Sequence, residues 1–166
     1  MLRATGRFLS PLCLFFSGGM AAYAQDGQTF AIQNIASGKN LRPFEAGRQD
    51  SNQIVLYDHH SWKCLTWTFK QVGPDRYRLT NYYTGKTLDA ASKPAAGVSL
   101  VQHETVPNSL GWEFVAQPGD SYAIRMAGTE LYVTATSRET NTQITLARFT
   151  NANSQKWRLI PQRPWF

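Results

Sequence analysis

Cysteine is nearly absent from this 166-residue chain, which has only Cys13 and Cys64. Cys13 falls in an N-terminal stretch with the three parts of an export signal. Arg3 and Arg7 give a positive start, Leu9 to Phe16 an apolar middle, and Ala22-Tyr23-Ala24 a small-x-small cleavage pattern. Cleavage before Gln25 is expected, leaving a signal over 1–24 and one domain over 25–166. Cys64 then stands alone, which excludes an internal disulfide framework and points to a small buried apolar residue. Long apolar runs are also missing. The stretch from Phe8 to Ala22 is broken by Ser10, Pro11, Ser17, Gly18 and Gly19, short of the roughly 20 residues a membrane-spanning helix needs.

Charge of one sign is not concentrated anywhere. Without the two leader arginines, fifteen basic side chains face eleven acidic ones, a formal +4, and no four basic residues are consecutive. A nucleic-acid groove is therefore not indicated. Catalytic signatures are missing too. There is no Gly-x-Ser-x-Gly elbow, no His-Glu-x-x-His and no phosphate-binding glycine loop, so the chain reads as non-enzymatic and without a cofactor. Asp58-His59-His60 with Cys64 groups metal-ligand types, but strand alternation sends His59 away from its neighbours, and no metal site is expected.

What is present is a repeat. Trp67, Trp112 and Trp157 are spaced by 45 residues, and three segments begin at Phe30, Tyr77 and Tyr122. Each alternates apolar and polar side chains, meets a glycine at Gly38, Gly85 or Gly128, and resumes with a leucine at Leu41, Leu88 or Leu131. A second alternating run follows from Ile54, Val98 or Ile144 before the tryptophan. Period-two alternation predicts strands, and the glycines predict tight turns between them. No stretch keeps a helical period. Three four-stranded units over about 28–73, 74–118 and 119–163 must close on a shared core, which predicts an all-β, pseudo-three-fold β-trefoil of about twelve strands. The three tryptophans are its expected core anchors.

At these residues the chain resembles the ricin B-type lectin family, whose trefoil repeats carry a glutamine-x-tryptophan signature. Gln155-Lys156-Trp157 matches it, while Leu110-Gly111-Trp112 and Leu65-Thr66-Trp67 keep only the tryptophan. The phrases SGKNL and TGKTLDA are similar to the family's hairpin. The resemblance implies a sugar pocket needing an aspartate after the hairpin leucine, an aromatic ring on the next run and an amide nearby. Carried over, the first repeat offers Arg42 and Tyr57, with Val55 at the amide. The second offers Asp89, with Val101 at the ring and Gln102 and His103 beside it. The third offers Tyr132 and Ala147. The candidate carbohydrate-binding residues are thus Asp89, Val101, Gln102, His103, Tyr57 and Trp62, the last a large ring in a polar loop. His59 and His103 end equivalent runs, 44 apart, which favours a structural role for both.

The expected function is that of a secreted or periplasmic, lectin-like protein whose partner is a glycan. The alternative is a degenerate trefoil that binds a protein partner, as an accessory or receptor-binding subunit of a toxin or enzyme. Both stay open at this point.

Overall fold

A computed structural model describes residues 27–105 and 109–165. The expected leader at 1–24 and Cys13 lie outside these residues. The chain forms twelve strands. The first repeat holds β1 (Thr29–Asn34), β2 (Asn40–Pro43), β3 (Asn52–Tyr57) and β4 (Trp67–Gly73). The second holds β5 (Arg76–Asn81), β6 (Thr87–Ala90), β7 (Leu100–His103) and β8 (Trp112–Gln117). The third holds β9 (Ser121–Met126), β10 (Leu131–Ala135), β11 (Ile144–Arg148) and β12 (Trp157–Pro161). No helix among the described residues is long and apolar enough to cross a membrane.

The pairings close a ring. β1 pairs with β12 and β4, β4 with β5, β5 with β8, β8 with β9, and β9 with β12, all antiparallel. The middle strands of each repeat form the hairpins β2–β3, β6–β7 and β10–β11. These meet one another across β3–β7 and through the bridges Val55 to Gln143 and Ser99 to Thr145. A six-stranded barrel capped by three hairpins is the β-trefoil expected from the repeat. Closure leaves the barrel without free edges.

The apolar alternation explains the core. Trp67, Trp112 and Trp157 are at most 1% exposed, and each indole N–H donates to a hairpin carbonyl: Leu41 at 3.1 Å, Leu88 at 3.1 Å and Val133 at 3.0 Å. Each tryptophan therefore fastens its own hairpin to the barrel while satisfying its one polar atom in a dry interior. Elsewhere in the core, Phe114 packs on both Phe69 and Tyr77, and Phe30 meets Phe69 edge to face.

The indole bonds also reset the alignment of the third repeat. Its partner is Val133, so Val133 rather than Leu131 matches Leu41 and Leu88. The barrel-to-hairpin registers agree, with Gln33 opposite Asn40, Thr80 opposite Thr87 and Arg125 opposite Tyr132. Hence Arg42 and Asp89 correspond to Thr134, not to Tyr132. The turns are equal in length but differ in chemistry. In the first two, the amide oxygens of Asn34 and Asn81 accept turn N–H groups, and the glycine comes late, at φ 69° and 71°. In the third, Met126 cannot cap, the Thr129 hydroxyl takes over by donating to the Met126 carbonyl and accepting from Leu131 N–H, and the glycine comes two residues earlier. A sequence alignment anchored on glycine slips by two at this turn.

Candidate functional site

Each hairpin presents one face to the core and one outward. In the first, Leu41 opposite Leu56 faces inward, and Arg42 opposite Val55 faces the other way with Tyr57 beside them. In the second, Asp89 lies opposite Val101, with His103 two residues on. In the third, Thr134 lies opposite Thr145, with Ala147 two residues on. Tyr57, His103 and Ala147 are thus equivalent, each opposite the first residue of its register: Asn40, Thr87 and Tyr132. The ring position of the second repeat is His103, and Val101 holds the place of Val55. His59 has a different counterpart. It meets the Asn40 amide through Nδ1 at 2.8 Å, where the second repeat pairs Thr87 with Thr105 at 2.9 Å. The apparent match of the two histidines does not survive the register.

Of the predicted residues, Asp89 and His103 come together on one half-buried face. The Asp89 Oδ1 accepts from the Ala90 N–H at 2.8 Å, and the Ser109 hydroxyl stands 3.5 Å from Oδ2. Ser109 precedes Leu110-Gly111-Trp112 and so occupies the place of Cys64 and Ser154 in the other repeats. A carboxylate, a hydroxyl and an imidazole on one surface can accept from and donate to adjacent hydroxyls. Val101 is buried at 3% and lends only an apolar floor.

Gln102 is elsewhere. It occupies the inward position held by Leu56 and Leu146, is fully buried, and donates its amide to the carbonyls of Gly47 at 2.8 Å and Gln49 at 2.9 Å while accepting from the Thr84 hydroxyl at 2.9 Å. It braces the 44–51 loop of the first repeat against the second. Asn52 braces the same loop by donating to Phe44 and Gly47, and Lys86 does so by an ion pair with Asp50 at 2.5 Å. The loop needs such support, because Glu45 and Ala46 both take positive φ, at 51° and 54°. Gln102 was expected at the pocket from its neighbours in sequence; strand alternation turns it the other way.

The first repeat is aromatic and cationic. The Arg42 guanidinium lies 3.5 Å from the centre of the Tyr57 ring. Tyr57 also leans toward Trp62, at 6.2 Å, and Trp62 stacks on His60 at 4.2 Å with the rings 16° apart. Tyr57 is accordingly engaged by its own chain, while Trp62 borders an apolar cleft of about 180 Å³ with Ala46, Cys64 and Tyr83. Burial pushes the Cys64 thiol above its ordinary range, against the opposing pull of the Arg42 guanidinium. Asp58 is ion-paired with Lys39. No group of three or more metal-ligating side chains converges among the described residues.

The third repeat has no ring at its cleft. Its equivalent space, about 320 Å³, is bordered by Ala36, Ala152 and Ser154 where the first repeat has Tyr83, Trp62 and Cys64. Gln155, the signature glutamine, is 1% exposed. Its oxygen accepts from the Thr150 N–H at 2.7 Å and hydroxyl at 3.0 Å, and its amide donates to Thr134 Oγ1 at 3.0 Å and the Arg148 carbonyl at 2.8 Å. Residues that the sequence reading passed over include Asn34 and Asn81, whose amides tie the hairpin turns to carbonyls of 64–66 and 154–156. The shared phrase Asn-x-x-Ser/Thr-Gly-Lys at 34–39 and 81–86 was the available signal.

Comparison with known proteins agrees with this architecture. Residues 17–103 match the model of the ricin-type β-trefoil lectin domain-like family. No curated protein matches the chain. Among solved structures, the Rhizoctonia solani agglutinin is 19% identical, with 84% of this chain and 98% of that one covered and a TM-score of 0.76. The Macrolepiota procera ricin B-like lectin, solved with lactose, is 23% identical over 85% of this chain and 99% of its own, with a TM-score of 0.73. An exo-β-1,3-galactanase from Clostridium thermocellum is 22% identical, with 84% of this chain but 31% of that one covered and a TM-score of 0.77. At these identities the structural likeness concerns the fold. On this match over residues 17–103, more than half of its length, the chain belongs to the ricin-type β-trefoil lectin domain-like family.

Proposed function

We infer that the protein is an exported, non-catalytic carbohydrate-binding module whose neutral-sugar site lies on the second hairpin. The observation that carries this reading is the meeting of Asp89, Ser109 and His103 on one half-buried outer face. The carboxylate accepts from paired hydroxyls, the serine and imidazole supply donors, and the Val101 side chain floors the surface. The lactose held by the Macrolepiota lectin supports a sugar as the ligand class. A shallow face of this kind binds weakly alone, so avidity is gained through multivalent display.

The test is a glycan array on the protein beside its Asp89→Ala variant. Binding that the variant loses, with its thermal midpoint unchanged, supports the site. Silence across the array for both proteins overturns the carbohydrate reading. The second reading, a trefoil that docks a protein partner, draws on Trp165, which is 78% exposed near the chain end.

A further inference from the structure

The three ribbons that join successive repeats in the barrel, β4–β5, β8–β9 and β12–β1, are equivalent, and their outer faces differ at one point. Trp67 opposite Asn81, Trp112 opposite Met126 and Trp157 opposite Asn34 set a common origin. Three steps along, the second ribbon places Val115 opposite Ala123 and the third Ile160 opposite Ala31, whereas the first places Lys70 opposite Arg78. The two apolar pairs mean that the fold itself asks for no charge here. Arg76, two residues from Arg78 on the same outward face, stands where the other ribbons have the neutral Ser121 and Thr29.

Such a cluster works against folding. Like charges set directly opposite on neighbouring strands, about 4.8 Å apart, repel each other. No ion pair among the described residues includes Lys70, Arg76 or Arg78, and the Arg78 Nε is buried without a hydrogen-bond partner. The acids nearby do not cancel the charge. Glu113, opposite Arg76, accepts instead from Arg125 at 2.8 Å, and Asp75 stands exposed in the connecting turn. The rings of this ribbon, Phe69 and Tyr77, are turned into the core, so none is offered to a nucleic-acid base. Apolar side chains flank the cations instead. Leu110 is exposed and precedes Gly111, which lies against the Arg76 stem, and Val115 is exposed two residues from Glu113 on the outer face of β8. Cations beside exposed apolar side chains match the phosphates and the headgroup boundary of an anionic bilayer.

We propose that the outer wall of the β4–β5 ribbon docks the protein on an anionic phospholipid surface. Lys70, Arg76 and Arg78 meet the lipid phosphates, while Leu110 and Val115 meet the headgroup boundary. This surface does not rest on the carbohydrate reading given above, and it goes beyond it: proteins gathered on one bilayer display their shallow sites together, which supplies multivalency.

The experiment is co-sedimentation of the protein with mixed phosphatidylcholine–phosphatidylglycerol vesicles and with pure phosphatidylcholine vesicles, at low and high salt. The expected result is binding to the mixed vesicles alone, weakened by salt. Lys70→Thr combined with Arg78→Thr copies the Thr68–Thr80 pair that lies two steps back on the same face. At about five-fold for each cation removed from the surface, this variant is expected to bind about 25-fold more weakly. Its thermal midpoint is expected to equal or exceed that of the parent, because the facing like charges are gone. Arg138→Gln removes an exposed cation of the third repeat and is expected to change binding by less than about two-fold. Equal binding to both kinds of vesicle, unchanged binding by the folded threonine variant, or an equal loss in Arg138→Gln, which would mean that net charge alone acts, overturns the proposal. So does binding of inorganic phosphate or a sulfated polysaccharide through Lys70 and Arg78 by a protein that ignores the mixed vesicles. If the threonine variant does not fold, Lys70→Gln decides alone: a loss of about five-fold supports the docking surface, and unchanged binding overturns it. A silent glycan array leaves this proposal standing, and failure on vesicles leaves the carbohydrate reading standing.

Discussion

Replacing Gln155 by alanine separates two roles that the family signature leaves entangled. If the residue is a brace, its loss should appear in stability and nowhere else. Four hydrogen bonds disappear, to the Thr150 N–H and hydroxyl, Thr134 and Arg148. At a net ~1 kcal/mol each the ceiling is about 4 kcal/mol. Thr150 and Arg148 lie at the surface, so water can re-satisfy their freed groups, whereas Thr134 is half-buried. A loss of about 2–3 kcal/mol is therefore expected, or on the order of 10 °C in Tm for a domain of this size. Gln155→Leu should lose nearly as much, since it refills the space and leaves the same four groups unpaired. Urea unfolding followed by tryptophan fluorescence measures both variants, because all three anchor indoles are buried. A stability change below about 0.5 kcal/mol, or lost glycan binding in a variant as stable as the parent, would refute the brace.

Gln102→Leu installs the residue that the other two hairpins use; because Gly47, Gln49 and Thr84 lose their partner, it should destabilise by about 1–3 kcal/mol in the same urea assay, despite the apolar surroundings. Acid should weaken the fold in a defined window. Hydrogen bonds from Lys86 and Lys39 hold Asp50 and Asp58 below the ordinary carboxylate value of 3.8, so their contribution is present above that value and lost as pH falls through the lower folded one. Comparing urea midpoints at pH 5 and pH 3 should show a smaller drop for Asp50→Asn than for the parent. Burial keeps the Cys64 thiol protonated, so a disulfide reagent at pH 8 should label the native protein slowly and the urea-unfolded protein at once; equal rates would contradict the buried placement.

The parts legible in the sequence were those set by periodic burial. Alternation placed the strands, and the tryptophan spacing marked the three anchors, because each indole has one dry slot and one carbonyl to meet. Positions set by turn chemistry were harder. Gly128 looks like Gly38 and Gly85 yet sits two residues earlier in a turn of equal length, which moved the third aspartate position from Thr134 to Tyr132. In the second hairpin the ring position was misread as Val101 for lack of a register; once Asp89 is set opposite Val101, His103 follows as the partner of Tyr57. Gln102 was misplaced because a polar residue beside a candidate acid suggests a pocket, whereas its amide serves a loop more than fifty residues back in the chain. The Arg42–Tyr57 stack could not be read at all, since it joins residues on different strands.

The barrel's seam sets an order of events. β1 zips against β12 over five residue pairs, Phe30 to Pro161 through Asn34 to Trp157, and the Thr29 hydroxyl reaches the Gln162 carbonyl 133 positions away. Within the barrel, β1 is synthesised before its partner β12 and therefore waits for it before its outer edge is covered. Until then the nascent first repeat offers an open hydrogen-bonding edge to any passing strand, and local contacts alone cannot close it. The two ends of the described chain finish as neighbours, so a circular permutant that joins them and opens a surface turn elsewhere turns the slowest pairing into a hairpin.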